Sequence, residues 1–179
     1  MPMKKLTTLL VATILFVAVS CNNSGQDVNT VAADNQEAIL EYKDFGPEIF
    51  VFDMEEYTLQ NKSYRHALWT GTTLQLSLMS LEKGEDIGAE IHHNIEQFIR
   101  VESGKGVVML GDSEDNMDYR VEMEDDMAVI IPAGKWHNIV NTGDEPLKLY
   151  SIYGPAEHPH GTVHKTHEEG MEAHHHHHH

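Results

Sequence analysis

An antiparallel all-β sandwich or barrel is the fold class this sequence predicts, and three observations carry it. From about Gly46 the chain breaks into roughly eight to ten short runs of β-forming residues at regular spacing. Turn-forming clusters separate nearly all of these runs, as at Lys83-Gly84, Gly104-Lys105-Gly106, Glu124-Asp125-Asp126 and Gly143-Asp-Glu-Pro146. No long stretch places its apolar residues at helical spacing.

In order along the chain, Met1 to Cys21 has the form of an export signal. Lys4 and Lys5 supply the charged start, and Leu9 to Val19 is an apolar run too short to span a membrane comfortably. It ends Ala18-Val19-Ser20-Cys21, which resembles a bacterial lipobox with Ala18 where leucine is usual. Lipidation of Cys21 is the expectation, with an ordinary cleaved signal as the alternative. The cysteine is the only one in the chain, so no intramolecular disulfide can form. Residues 22–45 are polar and poor in aromatics, the composition of a flexible tether.

Residues 46–165 are read as the barrel. Strands are predicted at Ile49–Phe52, His66–Trp69, Leu74–Met79, Glu90–His92, Gln97–Val101, Val107–Leu110, Tyr119–Met123, Met127–Ile131, Asn138–Asn141 and Leu147–Tyr153. Leu74, Leu76 and Leu78 alternate with Gln75, Ser77 and Met79, the period of a strand with two unlike faces. The leucines, with Ile99, Val101, Val129 and Ile131, are expected in the sandwich core, each worth roughly 1.5–3 kcal/mol when fully buried. Arg100, facing away from Gln97, is expected in a surface ion pair. Residues 166–179 form a His-rich tail ending in six histidines. A purification tag and a native metal-sequestering tract both fit that tail.

The formal charge is -17, and loss of a leader containing Lys4 and Lys5 takes it to about -19. So acidic a surface repels phosphate backbones and anionic headgroups alike, and no basic stripe offsets it. Nucleic acid is therefore excluded as a partner, and membrane contact is expected through the lipid anchor alone.

Two segments carry chemistry. In Glu90-Ile91-His92, two residues of an extended stretch project to one face, and Gln97 follows after a short polar turn. Pro132-Ala-Gly134-Lys-Trp-His137 adds a second imidazole behind a turn. Two imidazoles, a carboxylate and an amide oxygen make a first shell suited to a divalent transition metal: Mn, Fe, Ni, Zn or Cu. His93 and Glu96 should face outward by the same alternation, although a bulge would exchange Glu96 for Gln97.

These segments resemble the two motifs of the cupin superfamily, within a stretch similar to the small single-domain bacterial cupins described as mannose-6-phosphate-isomerase-like. Pro132, Gly134, His137 and Asn141 match the spacing of the second motif, with Asp126 where its leading glycine belongs. Counted back from Gly104, Gln97, His92 and Glu90 occupy the ligand positions of the first, Gln97 where a glutamate is usual and Glu90 where a histidine is usual. The resemblance implies a double-stranded β-helix, or jelly-roll barrel, a metal held by Glu90, His92, Gln97 and His137, and a homodimer. It also implies a small polar substrate such as a sugar or sugar acid, handled by isomerase or lyase chemistry with Glu90 as a candidate base. A lipoprotein that binds a small ligand or metal without turnover is the alternative, and an Fe or Cu dioxygenase a further one. Export implies attachment to the bacterial cell envelope, facing the periplasm or cell surface.

Overall fold

Ten strands and two helices form among residues 39–177, the part of the chain described by the structure, a computed structural model. The first helix, α1 (Met54–Gln60), is capped by the side chain of Asp53, which accepts from the Glu56 amide at 3.0 Å. The strands are β1 (Arg65–Thr70), β2 (Gln75–Leu81), β3 (Glu90–Ile91), β4 (Glu96–Ser103), β5 (Lys105–Gly111), β6 (Tyr119–Glu124), β7 (Ala128–Ile131), β8 (Trp136–Asn141), β9 (Leu147–Gly154) and β10 (Val163–His164). The second helix, α2, spans His167–His177.

All pairings are antiparallel and make two sheets, one of order β10-β1-β2-β9-β4-β7 and one of order β3-β8-β5-β6. This is the jelly-roll arrangement that the turn-punctuated strand pattern predicts. Nine of the strands coincide with predicted runs to within a few residues. Ile49–Phe52 is the exception: it runs irregularly into α1 and pairs with no strand. Its aromatic residues stack instead, with Phe50 3.9 Å from Phe45 and 4.4 Å from Phe52 between ring centroids.

The inner core gathers Met79, Leu81, Ile87, Ile99, Val101, Ile131, Ile139, Leu147 and Leu149, with Val129 packed against it. Leu76 and Leu78 lie elsewhere. They pack on the outer face of the large sheet with Tyr57, Leu68 and Tyr150, while Leu74 stays 45% exposed. The residues between them, Gln75, Ser77 and Met79, point into the barrel. Alternation establishes that β2 has two unlike faces, but both are buried here. Leu40, Tyr42, Phe45, Phe50, Phe52 and Met54 cover the outer one. The segment read as a tether therefore contributes its last residues to packing. Asp44 fastens it further, accepting from the Thr70 amide at 2.8 Å and the Gly161 amide at 2.9 Å.

The His-rich tail is likewise not all peripheral. α2 begins with His167, whose Nε2 lies 3.1 Å from Asp86 Oδ1, and Gly170 sits where any side chain would collide with the Tyr64 ring.

Candidate metal centre

Register builds the site. Glu90 of β3 is the cross-strand partner of His137 on β8, which brings the two motifs together at the level of Cα atoms. The turn before β8 completes the join: Gly134 donates its amide to the His92 carbonyl at 2.8 Å, with φ at +81°, a backbone glycine adopts freely. Along the sequence Glu90 and His137 stand 47 residues apart. The sheet closes that separation because β8 runs antiparallel to the short β3.

Glu90, His92 and His137 converge so that one ligand atom from each lies within 4.8 Å of the others. His137 Nε2 is 3.2 Å from Glu90 Oε1, and His92 Nε2 is 3.4 Å from the same oxygen. The far side of each imidazole is also engaged. His137 Nδ1 lies 3.0 Å from the Lys135 carbonyl, which can only accept, so this nitrogen donates. His92 Nδ1 lies 3.5 Å from Glu157 Oε2. Proton donation at both Nδ1 atoms leaves the two Nε2 atoms as lone pairs facing a carboxylate, in the tautomer a metal ligand adopts. Lone pairs turned toward a carboxylate are stable only around a cation. The donor set therefore fits a divalent ion, and a doubly protonated imidazole is the proton-filled equivalent.

The cluster is deeply buried, with Glu90 2%, His92 9% and His137 0% exposed. When protons rather than a metal fill the cluster, burial pushes the Glu90 carboxyl up, but the hydrogen bond from His137 Nε2, the neighbouring His92 and the charge of Arg65 overcome it and hold the group well below the usual carboxylate range. Burial pulls His92 down, and the adjoining Glu90 and Glu157 more than compensate, so its pKa is raised.

Gln97 lies on the same inward face. Its register partner is Tyr153, whose ring centroid is 5.9 Å from that of His92. Gln97 Nε2 donates to Ser151 Oγ at 3.3 Å, which fixes the amide and leaves a buried Oε1 without a hydrogen-bond partner among the described residues. A free carbonyl oxygen is the atom a ligand role requires. His93 and Glu96 are exposed, as alternation predicts. Arg100 pairs with Asp126 and lies 3.5 Å from Glu102. Cys21 lies outside the described residues.

Three residues near the cluster escaped sequence reasoning. Arg65 opens β1 and is 3% exposed. Glu157 and His158 belong to a strap after β9, anchored by Gln75: both their amides donate to Gln75 Oε1, at 3.2 and 2.8 Å, and Gln75 Nε2 donates to the His158 carbonyl at 2.8 Å. The polar, fully buried Gln75 at the start of a leucine-rich strand was the available signal.

The fold and this cluster define a class, the small cupins. The Cupin domain family matches residues 77–153. The protein YrkC of Bacillus subtilis (strain 168) is 44% identical over 172 residues, covering 88% of this chain and 92% of YrkC. L612 of Acanthamoeba polyphaga mimivirus is 41% identical over 117 residues, covering 65% of this chain and 71% of L612. The crystal structure of BH2720 from Bacillus halodurans superposes with a TM-score of 0.72 at 54% identity, covering 73% of this chain and 98% of that one. The chain belongs to the cupin superfamily.

Proposed function

We propose that this cupin is a metal-binding lipoprotein that acts on a small polar molecule, a sugar or sugar acid, by isomerase or lyase chemistry. The observation that supports it most is the convergence of Glu90, His92 and His137 with both Nε2 atoms directed inward. Gln97 Oε1 is the proposed fourth ligand. A bound Mn, Fe, Ni, Zn or Cu ion supplies Lewis acidity to a substrate oxygen. The chain's own contribution is to exclude water, to hold the imidazole tautomers through Lys135 and Glu157, and to present Glu90 as the one carboxylate of the set. Burial raises the Tyr153 pKa far enough that its phenol stays protonated beside the cluster.

Metal content decides the first half of this reading. Protein lacking the terminal histidines should carry close to one equivalent of a transition metal by elemental analysis, and Glu90→Ala or His137→Ala should lower the affinity for it tenfold or more. Retention by both variants would refute the site. A panel of sugars, uronates and phenolics, run with and without oxygen, decides the second half. Product formed anaerobically supports the isomerase or lyase reading, and turnover that vanishes under nitrogen points to a dioxygenase.

One observation favours a binder without turnover: the strap carrying Glu157 and His158 passes beside His92 and Tyr153, over residues at most 9% exposed. Thermal stabilisation by a panel compound with no product would select that reading.

A further inference from the structure

Arg65 is the least expected side chain in the barrel. A guanidinium cannot shed its charge by deprotonation, so one that is 3% exposed must be offset by its surroundings. Much of what surrounds it is poorly suited to that. Arg65 Nη2 meets Met79 Sδ at 3.9 Å, and its Cζ lies 5.5 Å from the Tyr64 ring centroid. Its Nε is buried and has no hydrogen-bond partner among the described residues. Two carboxylates act on it through their fields, Glu90, already shared between two imidazoles, and Glu157, which lies against His92.

Other buried polar atoms in the interior are also without hydrogen-bond partners among the described residues. Ser77 Oγ and His158 Nε2 join Gln97 Oε1 in this respect. Ser77 lies on β2 two residues from Met79, the register partner of Arg65, and faces inward as Met79 does. The His158 ring stands 5.3 Å from Tyr153, which in turn borders His92. Buried polar atoms normally find partners, and several orphans in one interior mark a place where a polar guest belongs.

The sign of that guest follows from charge. A divalent ion together with Arg65 outweighs Glu90, and still outweighs Glu90 and Glu157 combined. The metal-loaded interior is therefore net positive although the molecule as a whole carries -17. A planar donor such as a guanidinium matches a carboxylate or phosphate group.

We propose that Arg65 receives the negatively charged group of the site's ligand, so that this cupin selects small anionic molecules over their neutral counterparts. The proposal rests on the metal-site reading above and narrows its substrate class. Arg65 acts here as a ligand-binding residue.

The test is titration calorimetry with matched probes, pyruvate against pyruvamide and glucuronate against glucose. It is run on metal-loaded and metal-free full-length protein, with metal content measured in parallel. Wild type is expected to prefer the anion of at least one pair. Arg65→Met should reduce that preference tenfold or more while leaving metal content near wild type, and Arg65→Lys should restore part of it. Arg65→Met that keeps the preference, or wild type that shows none for either pair, overturns the proposal. So does Arg65→Met that lowers metal content and melting temperature while the preference stays intact, because Arg65 would then only counterbalance Glu90. Absence of metal from wild type would instead refute the metal centre, and the metal-free arm would still decide the role of Arg65.

Discussion

Asp126 stands where the second cupin motif has its leading glycine, and it adopts the left-handed φ of +68° that glycine would supply without strain. Its carboxylate accepts from Arg100, an exposed partner whose attraction is worth little in water. The departure from the motif thus preserves the backbone and changes only the side chain. Gly104 shows the opposite case. Its φ is +94°, and a Cβ there would sit 2.8 Å from the Pro146 carbonyl oxygen and 2.9 Å from Leu147 Cα, both backbone atoms that cannot swing aside. Gly104→Ala is therefore expected to destabilise the fold by roughly 2–4 kcal/mol, from the left-handed penalty plus overpacking. A lowered urea midpoint with an unchanged slope measures this, and an unchanged midpoint would contradict it. At this scale the candidate residues were legible, since motif spacing singled out Glu90, His92, Gln97 and His137, all of which turn out to be buried. Arg65 was not, because nothing local distinguishes a strand arginine that turns inward from one that reaches solvent.

The strap after β9 lies against the site, with Glu157 beside His92 and His158 beside Tyr153. His158 is held neutral within it: burial, then the positive charge of Arg65, depress its pKa from 6.5 to about 2. A depressed histidine contributes stability that is complete above its unfolded pKa and lost as pH falls. Between pH 6.5 and about 2 the released strap takes up a proton that the docked strap does not, at a cost of about 1.4 kcal/mol per pH unit. Lowered pH should therefore open the strap locally before the barrel unfolds. Hydrogen exchange at the Glu157 and His158 amides, corrected for its intrinsic pH dependence, is expected to accelerate below about pH 6.5 relative to core amides of β4 and β9. His158→Asn should remove most of that acceleration. Equal protection of strap and core at pH 5 would count against it. Gln75 announced an inward polar contact on β2, but its partners lie more than eighty residues away, beyond any local pattern.

For the whole molecule, the proposed attachment at Cys21 makes a simple prediction. Cys21→Ser is expected to move the protein from the membrane fraction to the soluble fraction, since one barrel with a charge of -17 has no affinity of its own for anionic lipid. Continued membrane retention of the variant would dismiss the lipid anchor. The sequence by itself determined the all-β class, the approximate places of nine strands and the two motifs that carry the candidate ligands, because strand period, turn chemistry and motif spacing are local properties written into consecutive residues. The tertiary structure alone decided which face of β2 lies inside, since Leu76 and Leu78 are buried by residues 40–54 and not by the barrel. It alone closed Glu90 against His137, turned Arg65 inward and laid Glu157 beside His92. Those outcomes depend on pairing between distant strands and on which surfaces later segments cover, and that information lies in no single stretch of the chain.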